Sequence, residues 1–372
     1  MPILNDYLTT VKSGIGQRIF KLEILDQNEN IISTISPKVI SGDLQLSSDS
    51  GSRRSCNVSF DNSEGDFTSN LLIGINTRYK LYTGMMVNDE PMYFPMGIFV
   101  SGEPEVESSL SSQIVSLTLY DKYALLDNTL SGVVEKGYVI IAGTPWDDAI
   151  RQTLLVAGEI KSPIIQPTSE NLDYNIVIQP GETYGDILSK LCLSISYVIY
   201  YDNEGFPRLE PPCDIDSAGS VFDFTTNENI YLGSKKRYEY SKVRNSCVVT
   251  GTNNNIGVIY RGTIQDTDPT SPTNVNLIGV RSLVISDDTI ASDDLALQRA
   301  KFELDKVIQV VESISCECIP LDHITPDQVI TIYDPHANTN GRYLIKSLSL
   351  PLVGGGNMSL SVTNARSFLN QV

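Results

Sequence analysis

Two segments of the chain, 243 residues apart, carry nearly the same element. "SLTLYDKYALLD" at 116–127 and "SLSVTNARSFLN" at 359–370 are identical or similar at nine of twelve positions. In both, apolar residues (Leu117 and Leu119, Leu360 and Val362) alternate with polar, mostly hydroxyl-bearing ones, the period of a strand with one face in a core. Asp121 or Asn364 follows, placed to cap a turn that buries Leu125 or Phe368.

The surroundings of the two copies also match. A Gly-x-aromatic strand precedes each, from Gly97 and from Gly341. Before it comes a strand ending in Tyr82 or Tyr333, and before that a strand opening Ser55-Cys56 or Ser315-Cys316. Four markers recurring in one order predict two copies of one β domain. A trimer of such a chain would set six similar domains in a ring, able to join a six-fold structure on one face and a three-fold one on the other.

At 372 residues the chain exceeds one ordinary core. The expected fold class is α+β and β-dominant: two similar β-barrel or sandwich domains, 1–128 and 230–372, flank a small α+β domain at 129–229. In that middle segment Thr144 is placed as an N-cap, Pro145 at the first helical position and Gly158 at the close, with Trp146, Ile150, Leu154 and Ala157 on the buried face. A second helix starts at Thr183 and buries Ile187, Leu188 and Leu191, and "YVIYYDNEGFPRLEPP" reads as a hairpin turning at "DNEG". One long helix, about 292–308 and capped by Ser292, interrupts the last domain.

A net charge of -18 opposes a surface that grips nucleic acid, since that needs neutralising Lys and Arg. The start "MPILNDYLTTVKSG" lacks the pattern of a secretory signal and no apolar run approaches bilayer length, so synthesis in a cytosol without membrane insertion is expected. Six scattered cysteines read as reduced, and Cys316 and Cys318 as small buried residues rather than zinc ligands. His323 and His336 fall in turn-like polar loops and are expected to be exposed spacers. "VGGGN" at 353–357 lacks the Lys and Ser/Thr of a phosphate loop and joins two strands as a hairpin tip. "GETYGDILSKLC" departs from a wall-binding LysM unit after its first helix, so the structural reading holds there. No catalytic, cofactor-binding or metal-ligating residue is assigned. The loops 61–75, 265–276 and 353–357 are the expected contact points with neighbours.

"SCNVSFDNSEGDF", "GIFVSGEP" with "VSLTLYDKYALLDN", "GETYGDILSKLC" with its hairpin, and "GRYLIKSLSLPLVGGGNMSLSVTNAR" together resemble the tail hub, or baseplate hub, family of tailed phages and contractile injection machines. The resemblance runs over nearly the whole chain. It implies tail-tube-like β domains and a homotrimeric, non-enzymatic hub in the virion tail tip or baseplate. The hub would adapt a hexameric tail tube to a central spike or tail fibre, touch neighbouring baseplate or distal tail proteins, and pass genome DNA through its channel without specific binding. Three chains of -18 put -54 on one ring, consistent with a lumen that does not retain DNA. Because the sequence ends just after the second repeat, no lytic domain is expected in it. The alternatives are a wall-carbohydrate-binding or hydrolytic tail-tip protein acting through residues 129–229, and a tube or sheath subunit, which a duplicated chain disfavours.

Overall fold

Alternation of buried and exposed side chains decides the architecture. In the computed structural model, described for residues 4–14, 16–49, 51–67, 72–75, 77–168, 170–214, 217–226, 230–238, 240–253, 258–287, 289–308 and 312–364, most strands belong to one 14-stranded sheet. The first lobe comprises helix α1 (Leu4–Ser13) and strands β1 (Arg18–Leu25), β2 (Ile31–Ile35), β3 (Val39–Ser47), β4 (Arg54–Asp61), β5 (Arg78–Val87), β6 (Glu90–Ser101), β7 (Glu105–Ser108) and β8 (Gln113–Asp121). The middle lobe holds β9 (Tyr138–Ile140), α2 (Trp146–Val156), β10 (Ile164–Ile165), β11 (Ile176–Ile178), α3 (Tyr184–Ser194), β12 (Val198–Tyr201) and β13 (Pro207–Glu210). The second β lobe begins with β14 (Ser220–Thr225) and β15 (Tyr231–Tyr238). After an insert of β16 (Ser246–Asn253), β17 (Val258–Gln265), α4 (Val275–Ile278), β18 (Ser282–Ser286) and α5 (Asp293–Ile308), it resumes with β19 (Glu312–Cys318), β20 (Val329–Asp334), β21 (Thr339–Pro351) and β22 (Met358–Asn364).

The two β lobes are built alike. Side by side, the first runs β3-β4-β8-β6-β5 and the second β15-β19-β22-β21-β20. The four sequence markers therefore occupy the same places in both: Ser-Cys on β4 and β19, Tyr on β5 and β20, Gly-x-aromatic on β6 and β21, Ser-Leu on β8 and β22. Even the register agrees, because Gly97 faces Leu81 and Gly341 faces Ile332, each one residue before the marker tyrosine. Both glycines have positive φ, +134° and +150°, a conformation closed to most side chains. The lobes differ at the far edge, where β1 joins β5 antiparallel but β14 joins β20 parallel.

The seam between the lobes is a strand pairing. β3 lies antiparallel to β21, with Leu44 facing Leu350 and Leu46 facing Leu348. All four leucines are buried in a core continuous through both lobes, to which β8 adds Val115, Leu117 and Leu119, and β22 adds Met358, Leu360 and Val362. Burying each such leucine stabilises the fold by about 2 kcal/mol. The turn after β8 forms as a 3-10 turn capped by Asp121, but it buries Tyr123, Ala124 and Leu126, and leaves Leu125 half-buried. At three residues per turn, Tyr123 and Leu126 share the inward face. The corresponding residues 365–370 lie outside the described residues.

Tyr123 and Leu126 enter the middle lobe's core with Trp146, Ile150 and Leu154 of α2 and Ile187, Leu188 and Leu191 of α3. Thr183 caps α3 through Asp186 N, as its sequence predicts. α2 departs from expectation by one residue: Pro145 holds the cap position and no side chain caps the helix. Strand β10, unforeseen within a proline-flanked loop, pairs parallel to β13. The insert of the last lobe has a sheet of its own, β17-β16-β18, covered by α5 around Cys247, Val249, Ala296, Ala300 and Leu304. A Cβ on Gly262 would stand 2.2 Å from the backbone N of Leu297, so only glycine lets α5 sit this close to β17. Among the described residues no helix is long and apolar enough to cross a membrane.

Candidate functional site

The charged groups that sequence alone could not place gather at the joints between lobes. Asp121, 1% exposed at the end of β8, accepts hydrogen bonds from Arg53 N (2.7 Å), Arg54 N (3.1 Å), Tyr123 N (3.0 Å) and Ser52 Oγ (3.3 Å). Burial pushes its pKa up to about 6 against the pull of those donors and of the Arg54 guanidinium. Arg54 reaches on to the β12–β13 hairpin, donating to Tyr201 O and to Asn203 Oδ1 (2.7 Å). Its neighbour Arg53 stacks over the Tyr200 ring at 3.9 Å and pairs with Asp327 of the second lobe at 2.5 Å.

A second joint surrounds Lys122. Its ammonium lies 2.7 Å from Glu29 Oε1 and 2.8 Å from Glu159 Oε1, and both carboxylates are buried. Arg78 and Lys161 complete Glu29's partners at 2.7 and 2.9 Å, while Tyr201 donates to Glu159 at 2.7 Å. Burial alone would raise the Glu29 pKa, but Lys122 and Lys161 outweigh it and hold the carboxyl below its ordinary range. The cluster ties the β1–β2 turn, the turn after β8 and the loop after α2 into one piece. Two carboxylates beside a lysine are the composition of an acid–base site, but here each is buried and already paired, Glu29 with Arg78, Lys122 and Lys161, and Glu159 with Lys122 and Tyr201.

The third joint is the α1 strap. Tyr7 donates to Asp322 Oδ2 and accepts from Asp322 N, both at 2.8 Å, and Arg18 pairs with the same carboxylate at 2.7 Å. Tyr7→Phe removes a hydrogen bond to a buried charge and is expected to lower stability by about 1.5–3 kcal/mol in urea unfolding. An unchanged midpoint would mean the strap does not hold the lobes.

His323 corrects the expectation of an exposed spacer. It packs among the rings of Tyr7, Phe94 and Phe222, with centroids 5.9, 6.3 and 6.2 Å away, and burial lowers its pKa. His336 is exposed. Cys316 and Cys318 are buried in the core, where desolvation pushes the Cys316 thiol up to about 12. Among the described residues no group of three or more His, Cys, Asp or Glu could hold a metal ion. The loop 265–276 is folded on itself, with Asp266 buried and accepting from Ser271 and Thr273, both at 2.5 Å. From loop 61–75, Phe67 plugs the core against Phe60, while residues 68–71 lie outside the described residues. The 353–357 tip is largely exposed.

A cleft of about 450 Å³ separates the middle lobe from α5, with Ile195, Pro211, Phe302 and Leu344 among its lining. Trp146, the one tryptophan of the chain, is 3% exposed inside the middle core and offers no stacking face to a sugar. What remains open is strand edge. Among the described residues β15 and β2 end the main path of the large sheet, and β7 pairs only with β8.

No protein-family model matches the chain, and no curated protein matches its sequence. Solved structures do match its fold. A tail protein from Neisseria meningitidis superposes with a TM-score of 0.65 at 11% identity, covering 94% of this chain and 98% of its own. The 43 kDa tail protein of prophage MuSo2 from Shewanella oneidensis gives 0.61 at 11%, covering 93% and 98%. The E. coli c3393 protein, described as a type VI secretion component similar in structure to the T4 bacteriophage tail proteins gp27 and gp5, gives 0.52 at 9%, covering 92% and 75%. Two like-built β lobes around a helical middle lobe are thus the fold this chain shares, over nearly its whole length, with phage and prophage tail proteins.

Proposed function

We propose that the chain is a structural hub of a phage tail tip or baseplate, working by assembly rather than catalysis. The observation that carries this reading is the pair of like-ordered β lobes joined edge to edge in one sheet. Three chains would offer six such lobes, which suits a ring that meets a hexameric tail tube on one face and a three-fold spike or fibre on the other. Neighbouring baseplate or distal tail proteins would dock on its rim. The chain would divide near 128 and 229 into two tube-like units and a middle one. A lumen inside the ring would pass DNA without binding it, for which the charge of -18 per chain is favourable. Synthesis in the host cytoplasm and residence in the virion tail follow from this role. Buried carboxylates saturated by structural partners support the absence of catalysis.

The reading is tested by light scattering on the size-exclusion peak, followed by negative-stain imaging. A mass near three times 40.9 kDa and a ring of six lobes around a hole are expected. A monomer at all concentrations would sink the trimeric ring.

A further inference from the structure

We infer that the ring closes by a strand pairing between copies, β15 of one chain lying antiparallel to β7 of the next, fastened by a basic strip on an acidic one. The inference rests on the trimeric reading above and names the surface that would make it.

The argument starts from the seam inside one chain, where β3 of the first lobe pairs with β21 of the second. Leu44 on β3 faces Cys56 on β4, just as Ser234 on β15 faces Cys316 on β19, so β15 is the second lobe's counterpart of β3. Likewise Glu105 on β7 faces Ser116 on β8, just as Ser349 on β21 faces Ser359 on β22, so β7 is the first lobe's counterpart of the seam half of β21. Repeating the seam once more around a closed ring brings β15 to β7 of a second copy. Among the described residues both strands have an edge open for it: β15 ends the sheet beyond β19, and β7 pairs only with β8.

The seam's register then fixes which residues meet. Within the chain, Gln45 faces Ser349 and Ser47 faces Ser347, on the side turned away from the core. Gln45 donates to Ser349 Oγ at 2.7 Å across it. The counterparts between copies are Lys235 facing Glu105 and Arg237 facing Glu103, with Glu107 next along the same side. All five are exposed, and the two strips are of opposite sign in a chain that is acidic overall. Like charges on both edges would forbid the pairing, whereas this arrangement selects it and its register. Charged edges also keep the strands from pairing at random with other sheets.

The test reverses each strip and then both. E103K/E105K/E107K alone and K235E/R237E alone are each expected to shift the solution mass from trimer to monomer with an unchanged circular dichroism spectrum, and the chain carrying both sets is expected to return to trimer. In parallel, E105C/K235C is expected to form a disulfide between chains and run as covalent oligomers up to the trimer without reductant. A chain with one strip reversed that stays trimeric, or a cysteine pair that never links chains, overturns the inference and leaves the ring intact. A wild-type protein that is itself monomeric overturns the ring, and the inference with it.

Discussion

Replacing Asp121 with alanine is expected to lower the unfolding free energy by about 3–5 kcal/mol, because three buried backbone N–H groups lose their shared acceptor at once. Arg54 opens β4 with Arg53 just before it, and Tyr123 lies in the turn into the middle lobe, so the loss falls where the two units meet. The pH dependence identifies the cause. In the folded protein burial raises the pKa from 3.8 to about 6, so Asp121 binds its proton more tightly there than in the unfolded chain. That contribution is full below about pH 4 and is lost as the pH rises through 6. The deficit of Asp121→Ala is therefore expected to be larger at pH 4 than at pH 7 in paired urea titrations. A loss below about 1 kcal/mol at both pH values would show that water replaces the carboxylate.

Lys122→Met tests the other joint, with an expected loss of about 3–5 kcal/mol at pH 7. The methionine keeps much of the stem's bulk but leaves Glu29 and Glu159 buried without their shared cation. In the wild type the Glu29 pKa is held below its ordinary 4.5, which contributes stability above that value and loses it as the pH falls through the lowered pKa. Without Lys122 the lowering of the Glu29 pKa weakens, so the variant has less of this stability to lose on acidification and its deficit shrinks as the pH approaches 4. A deficit that does not change with pH would mean that lost packing, and not lost pairing, is what the variant reports.

The pieces that could be read before any fold was known are those with a local physical signature. Cys56, Val58 and Phe60 alternate inward along β4, and Val115, Leu117 and Leu119 along β8, because a pleated strand repeats every two residues. Thr183 caps α3 because its hydroxyl finds a backbone N–H three residues on. The errors also have physical reasons. Leu125 was expected on the buried side of the turn after β8, but the turn is 3-10 and sets Tyr123 and Leu126 inward instead. His323 stands among polar neighbours in sequence, yet its ring partners Tyr7 and Phe94 lie more than 200 residues away in the chain. The α1 strap carries local helix signs, with Tyr7 and Val11 four apart, Asp6 in its first turn and Lys12 in its last, but its purpose depends on Asp322 near the other end of the chain.

The amino-acid sequence by itself determined that there would be two β lobes with the same markers in the same order around an α+β middle, since alternation and caps act over a dozen residues at most and a repeat is visible by comparing two stretches of one chain. Only the tertiary structure decided that β3 would seam to β21, that Asp121, Lys122 and Asp322 would hold the lobes together, and which edges would stay open. Those choices depend on pairings between residues far apart in the chain, whose energies arise from burial and exclusion of water that no local pattern encodes.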